Sequence, residues 1–348
     1  MSRWPYALIA WYRDAKRDLP WRRTKNPYAI WVSEIMLQQT RVEAVMGYYT
    51  RFMAAFPTIA DLAHAGEDMV LKLWEGLGYY SRAKNLQRAA RIICEQYGGV
   101  FPSEYEAVRA LPGIGDYTAG AILSIAFDQP YPAVDGNVLR VMARLYGIRQ
   151  DILLPKTKTA ITDILTQCYP KDAASDFAQS LMELGAMVCI PQTPRCGQCP
   201  ICGQCSAYAT GMQAELPVRR KKEKPQEIQL RIAVLRNEKG QVLMARRPDT
   251  GLLAGLWEFP GVEASTEAEF EQRMREHYGL QIRPIRHLVN AKHVFSHQVW
   301  QMQAYDARLE KPAPPLETMR WVGEEDLDTI AIPAAFSRIR QVVFEELM

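Results

Sequence analysis

From about Trp4 to Ala209 the apolar residues recur three or four positions apart, as in Asp68–Leu77 and Ala83–Cys94, with little strand-like alternation. That spacing predicts amphipathic helices. Gly98-Gly99, Pro102 and Leu111-Pro112-Gly113 mark stops between them. The stretch Arg219-Arg220-Lys221-Lys222-Glu223-Lys224-Pro225 then interrupts all periodicity and reads as an exposed linker. Beyond it Ile228–Leu235, Val242–Ala245 and His297–Tyr305 have the pattern of strands, and Glu267–His277 that of a helix. The chain therefore divides into an all-α region (1–215), a linker (216–227) and a small α/β region (228–348).

Length agrees with that division, since 348 residues exceed one ordinary core. A composition of 48% hydrophobic and 23% charged residues is that of a soluble globular protein. No run approaches the ~18 consecutive apolar residues of a membrane span. The short apolar run near the N-terminus breaks at Trp11-Tyr12-Arg13, without a signal-peptide layout, so a cytoplasmic location is expected. The net charge of +3 becomes informative when split. Residues 1–222 carry 26 Lys and Arg against 20 Asp and Glu, while the remainder carries 16 against 19. The helical part is the one suited to a polyanion.

Five of the seven cysteines lie between Cys189 and Cys205. Clustering of this kind points to metal rather than to a disulfide scaffold. Cys189, Cys196, Cys199 and Cys205 form C-x6-C-x2-C-x5-C, a soft thiolate set that suits either zinc or a [4Fe–4S] cluster. Cys202 is taken as a non-ligand, and Cys94 and Cys168 as small core residues of helices.

Leu111-Pro112-Gly113-Ile114-Gly115 lies between two helical stretches. Its glycines permit a tight turn whose backbone N–H groups can bind a phosphate, although a plain helix–helix turn has the same pattern. Asp135, in Val134-Asp135-Gly136-Asn137-Val138, precedes a helical run and suits its N-cap. Backbone donors would hold such a carboxylate at low pKa, charged and able to face a developing cation. Glu34 is the only Asp, Glu, Lys, Arg or His between Lys25 and Arg41, on a helix expected from Tyr28 to about Met46. An acid in apolar company keeps its proton near neutrality. One carboxyl that donates a proton and one that stabilises positive charge is the logic of glycosidic cleavage.

LPGIGDYTAG, VDGNV and the spacing of the four cysteines resemble the helix-hairpin-helix DNA glycosylases of the endonuclease III superfamily. WVSEIMLQQT, GLGYYSRAKNL and the additional C-terminal region make the chain similar to one branch, the adenine DNA glycosylases (MutY family). The resemblance implies a multidomain protein. An all-α helix-hairpin-helix glycosylase fold with an iron–sulfur loop (a six-helix part at about 22–130, and a cluster part from 1–21 and 131–215) precedes an α/β Nudix-like domain. It further implies a monomer that binds double-stranded DNA containing adenine opposite 8-oxoguanine or guanine and extrudes the adenine into a pocket.

By the same resemblance Glu34 is the acid that protonates adenine N7, and Asp135 stabilises the oxocarbenium-like sugar. Tyr117 and Asn137 support these two, and Gly113 and Gly115 shape the hairpin. Leu37, Gln39 and Tyr79 contact the stack or wedge into it, while Arg22 and Gln179 fall at other active-site positions. Tyr117 stands where bifunctional relatives place a Schiff-base lysine, which implies base removal with little or no lyase activity. The four cysteines imply a [4Fe–4S] cluster rather than zinc.

Gly251–Pro260 resembles a Nudix-hydrolase core, but Gln272–Leu280 holds too few carboxylates to bind magnesium well. The region is expected to recognise the oxidised purine instead, with Phe295-Ser296-His297 matching the lesion-reading loop and Ser296 its hydrogen-bonding group. Rival readings are a pyrimidine-specific glycosylase, a silent redox-sensing DNA-binding protein, and a nucleotide pyrophosphatase. The setting of Glu34, the pairing of Glu34 with Asp135, and the degraded box disfavour them in turn.

Overall fold

A computed structural model describes residues 3–220, 224–312 and 318–346. The chain packs as two units, one built from 1–64 and 85–221, the other from 65–84 and 222–348. No helix among the described residues is long and apolar enough to cross a membrane.

The helices are α1 (Trp4–Ala15), α2 (Pro27–Leu37), α3 (Val42–Ala55), α4 (Ile59–His64), α5 (Glu67–Leu73), α6 (Ser81–Tyr97), α7 (Tyr105–Arg109), α8 (Asp116–Phe127), α9 (Gly136–Tyr146), α10 (Pro155–Cys168), α11 (Ala174–Met187) and α12 (Ser206–Ala209). In the first unit α11 packs against α1, α8 and α9, and α8 also packs against α2. The shared core is aliphatic with aromatic plugs, including Leu8, Ile30, Met142, Phe177 and Leu181.

The expected helix from Tyr28 to about Met46 is two helices. Gln38 caps α2, Gln39 turns into the left-handed region at φ 58°, and α3 begins after Arg41. Neither glycine nor proline marks that break in the sequence. The linker also differs from expectation. Its first residues are strapped onto the helical unit, with Leu216 buried and its carbonyl accepting from Arg144 Nε at 2.9 Å. The Val218 carbonyl accepts from the Ile152 N–H at 3.1 Å. Its last residues, Gln226 and Glu227, already belong to a strand, and residues 221–223 lie outside the described residues. Cys94 and Cys168, expected in the core, are half-buried.

In the second unit β1 (Gln226–Leu235), β2 (Val242–Arg246), β3 (Trp257–Glu258), β4 (Gly261–Glu263), β5 (Ile282–Val294), β6 (Gln298–Leu309) and β7 (Met319–Val322) form two sheets, with α13 (Glu267–Tyr278) and α14 (Ser337–Gln341) packed against β5. The sheet orders are β4-β1-β6-β5 and β3-β2-β7, with only β1 and β6 parallel. The second half of β1, Ile232–Leu235, is buried on both faces, its side chains alternating between two cores. Ile232 and Val234 join the core that contains Trp257, Trp300 and Phe336, whereas Ala233 and Leu235 join the core with Phe270 and Met274 of α13.

Residues 65–84, which the sequence pattern leaves among the helices of the first region, pack in this second unit. Lys72 Nζ donates to the Leu327 carbonyl at 2.8 Å. Glu75 accepts from Arg340 Nη1 at 3.2 Å and from the Ile332 N–H at 3.3 Å. Glu67 pairs with Lys84 at 3.0 Å and Arg246 at 3.3 Å.

Phe270, on the inward face of α13, is fully buried. Phe270→Ala is expected to lower stability by about 3–5 kcal/mol in urea unfolding of the whole chain; a loss below about 1 kcal/mol would remove this ring from the core.

Candidate active site

α2 is buried along its length from Tyr28 to Met36, so it offers Glu34 no solvated face, and that residue is 5% exposed. Gly115 caps the following hairpin helix α8 and sets Tyr117 in its first turn, where the phenol donates to Glu34 Oε2 at 2.6 Å. Burial raises the Glu34 carboxyl to about 7, the Asp135 charge adding to the shift and the Tyr117 bond and Arg22 charge opposing it. Burial also pushes the Tyr117 phenol well above its ordinary value, so it remains a donor.

Asp135 caps α9 as expected, accepting from the Val138 N–H at 2.7 Å and from Asn137 Nδ2 at 2.9 Å. The expected low pKa is not what this environment gives. Burial raises the Asp135 carboxyl, outweighing the Val138 and Asn137 donors that pull it down. Asn137 is held in turn by Arg140 Nη2, which donates to its Oδ1 at 2.8 Å. The same buried guanidinium donates to the Gly185 and Cys189 carbonyls, both at 2.8 Å. It thereby ties the Asp135 turn to α11 and to the start of the cysteine loop.

Glu34, Tyr117, Asp135 and Asn137 line one cavity of about 170 Å³. Arg22, Leu37 and Gln179 join them in its wall, so seven of the residues singled out from sequence meet there. Gln39 is exposed just beyond the end of α2. Gly113 and Gly115 form the hairpin turn. Gly113 has φ 79°, and a Cβ there would lie 2.8 Å from Asn85 Cβ, so only glycine fits.

Tyr79 and Phe295-Ser296-His297 belong to the second unit. The three-residue loop is the turn between β5 and β6, closed by the Phe295 N–H donating to the Gln298 carbonyl at 2.8 Å. Phe295 packs on Trp300, and the exposed Ser296 hydroxyl lies 2.6 Å from the Tyr79 hydroxyl. That unit has a cavity of its own, lined in part by Trp300, Phe336 and the Arg247–Glu258 ion pair.

Three contributors to the first cavity escaped sequence reasoning. Arg17 and Glu183 line it as an ion pair, and no local pattern links residues so far apart. Gly185 brings α11 against the Asp135 turn, since a Cβ there would lie 2.6 Å from Asn137 Cβ. A glycine inside a helical pattern is the signal that marks such an approach.

Cys189, Cys196, Cys199 and Cys205 line a single small cavity, with Cys202 beside them. Burial pushes the Cys199 thiol up to about 12 and raises Cys205, so thiolates there require positive metal charge as compensation. Arg144 donates to Cys189 Sγ at 3.4 Å and to the Ile190 and Pro191 carbonyls at 2.7 and 2.6 Å, which fixes the loop's first turn. Among the described residues no three His, Cys, Asp or Glu side chains are arranged for a single metal ion. The four-thiolate donor set fits an iron–sulfur loop.

Residues 32–170 match the model of the HhH-GPD superfamily base excision DNA repair proteins, and residues 231–341 match the NUDIX domain. A thermostable thymine-DNA glycosylase superposes with a TM-score of 0.55 and 29% identity, over 60% of this chain and 95% of that one. The helical unit is thus that of a base-excision DNA glycosylase. The adenine DNA glycosylase of Rattus norvegicus is 37% identical, over 97% of this chain and 77% of the relative; that of Homo sapiens is 36% identical, over 97% and 73%. The chain belongs to the adenine DNA glycosylase family.

Gly185→Ala tests the close approach of α11 to the Asp135 turn. The expected result is a loss of about 1–3 kcal/mol in urea unfolding, with faster hydrogen exchange at the first amides of α9. Unchanged stability and exchange would mean that the two elements are not in contact.

Proposed function

We propose that the chain is a monofunctional glycosylase that removes adenine paired with 8-oxoguanine or guanine in double-stranded DNA. The observation that carries this reading is the unlike pair of carboxyl groups in one cavity. Glu34 is buried on α2 with a phenol as its hydrogen-bond partner, whereas Asp135 is bonded by a backbone N–H and an amide.

The base must leave the stack to reach such a cavity. Near neutrality Glu34 retains a proton and gives it to adenine N7. The C1′–N9 bond then breaks with its electron pair moving onto the base. Asp135, as carboxylate, faces the cationic sugar, and water adds at C1′. Asn137 and the Val138 N–H hold Asp135, and the Tyr117 hydroxyl holds Glu34. Tyr117 offers no amine for a Schiff base, which supports base removal without strand cleavage. Gly113 and Gly115 present hairpin N–H groups to a phosphate, while Leu37, Gln39 and Tyr79 support the opened stack. Arg22 and Gln179 complete the wall around the base.

The second unit reads the opposite purine through Phe295, Ser296 and His297. The bond between the Ser296 and Tyr79 hydroxyls supports assigning both to one lesion-reading surface. Cys189, Cys196, Cys199 and Cys205 hold a [4Fe–4S] cluster, which supplies the charge that keeps four buried thiolates in place and takes no part in bond cleavage. On this reading the protein acts as a monomer in the cytoplasm.

A single-turnover assay on a duplex with one 8-oxoguanine·adenine pair tests the proposal. Free adenine should appear, with strand scission only after alkali. The rate should fall as pH rises through about 7, because the protonated form of Glu34 is the active one. Glu34→Gln should lower base removal by at least about 10²-fold while duplex binding persists; retained turnover would falsify the assignment of the acid. Ser296→Ala should narrow the preference for 8-oxoguanine over guanine opposite adenine, and an unaltered preference would clear that loop of the role.

A further inference from the structure

We propose that Glu183 is a positioning residue for the excision reaction, fixing Arg22 and Arg17 in the cavity wall and cancelling part of their charge beside Glu34 and Asp135. The inference rests on the reading of Glu34 as the acid. Glu183 projects from the last turns of α11 and is fully buried. Its Oε1 accepts from the Arg17 N–H at 2.9 Å, Arg17 Nε at 3.0 Å and Arg22 Nη1 at 2.9 Å. Its Oε2 accepts from Arg17 Nη2 and Arg22 Nη2, both at 2.7 Å. Five donors thus converge on one carboxylate. Burial alone would raise it, but the bonds from Arg22 and Arg17 override that and hold it down at about 2.

Arg22 has little freedom left. Its side chain is 11% exposed, its guanidinium lies over the Tyr12 ring at 5.5 Å, and Nη1 also donates to the Arg17 carbonyl at 3.1 Å. Three of its five N–H groups are committed in this way, so its remaining donors are held in one orientation.

An ion triad around a fully buried carboxylate is a poor device for stability, because desolvation offsets most of the attraction. Its place in the fold suggests another use. All three members line the cavity that holds Glu34 and Asp135. The proposed reaction develops positive charge on base and sugar, which two uncompensated guanidiniums would oppose. With Glu183 the triad carries one net positive charge instead of two.

Glu34 would report that balance. The titratable and charged groups that share its cavity are Tyr117 from α8, Asp135 from the turn before α9, Arg22 and Arg17 from the segment after α1, and Glu183 from α11. Arg22 and Arg17 favour the ionised form of Glu34, whereas Asp135 and Glu183 favour the protonated form.

The test is the single-turnover rate on the 8-oxoguanine·adenine duplex from about pH 5 to 9, in the cluster-loaded full chain. Glu183→Gln keeps the shape and removes the charge. It should move the alkaline midpoint down by about one pH unit and lower the plateau rate at least about tenfold. Arg22→Gln should move the same midpoint up. A role in stability alone would lower the rate at every pH and leave both midpoints in place. Midpoints that stay fixed, or that move in the same direction, overturn the proposal. Glu183→Asp covers the case in which the amide variant fails to fold. It keeps the charge and should retain the wild-type midpoint while losing plateau rate; a shifted midpoint there also overturns the proposal. A wild-type profile without an alkaline limb would instead sink the reading of Glu34, so the two failures are distinguishable.

Discussion

Removing a carboxyl group from water costs free energy unless the group is protonated, well bonded or paired with a cation. The helical unit gathers three of them around one cavity, and each is accommodated differently. Glu34 is buried with the Tyr117 phenol as its hydrogen-bond partner, and burial raises its carboxyl to about 7. Asp135 is bonded by the Val138 N–H and the Asn137 amide. Glu183 is enclosed by two guanidiniums and stays charged. Much of the surrounding fold serves these three solutions. α2 is apolar on every side, α9 begins at Asp135, and Gly185 lets α11 approach closely enough for Asn137 to turn toward its neighbour.

The parts of this arrangement that depend on neighbouring residues were legible from sequence. The apolar run around Glu34, the glycines of the hairpin and the N-cap at Asp135 are local patterns, and the structure repeats them. The parts that depend on contacts between distant residues were not. Glu183 reads as one more acidic residue in a helix, and its partners Arg17 and Arg22 lie 166 and 161 residues away. The direction of the Asp135 shift was misread for a related reason. The capping donors can be inferred from the next few residues, but the depth of burial depends on what packs over the turn. The break at Gln39 has no local signal because a glutamine, rather than a glycine, takes the left-handed conformation.

In the second unit the strand expected at Ile228–Leu235 and the helix expected at Glu267–His277 are present as β1 and α13. Residues 65–84 could not be placed by any such pattern. Their helical periodicity matches the segments around them, yet their charged groups are satisfied by Arg246, Leu327, Ile332 and Arg340. Periodicity identifies an element and its apolar face; it does not identify which body the element joins.

That discontinuity bears on how the chain matures on the ribosome. Lys72 and Glu75 pair with each other, and their further partners lie 255 to 265 residues along the chain. At about 5–20 residues per second, that stretch takes roughly ten to fifty seconds to synthesise. The helical unit can complete its aliphatic core once residue 201 or so is made, within that interval, but residues 65–84 remain until its end without the carbonyl, amide and guanidinium that complete their hydrogen bonding. Closing so long a loop is slow in any chain. A helix made later in synthesis therefore completes a segment made earlier.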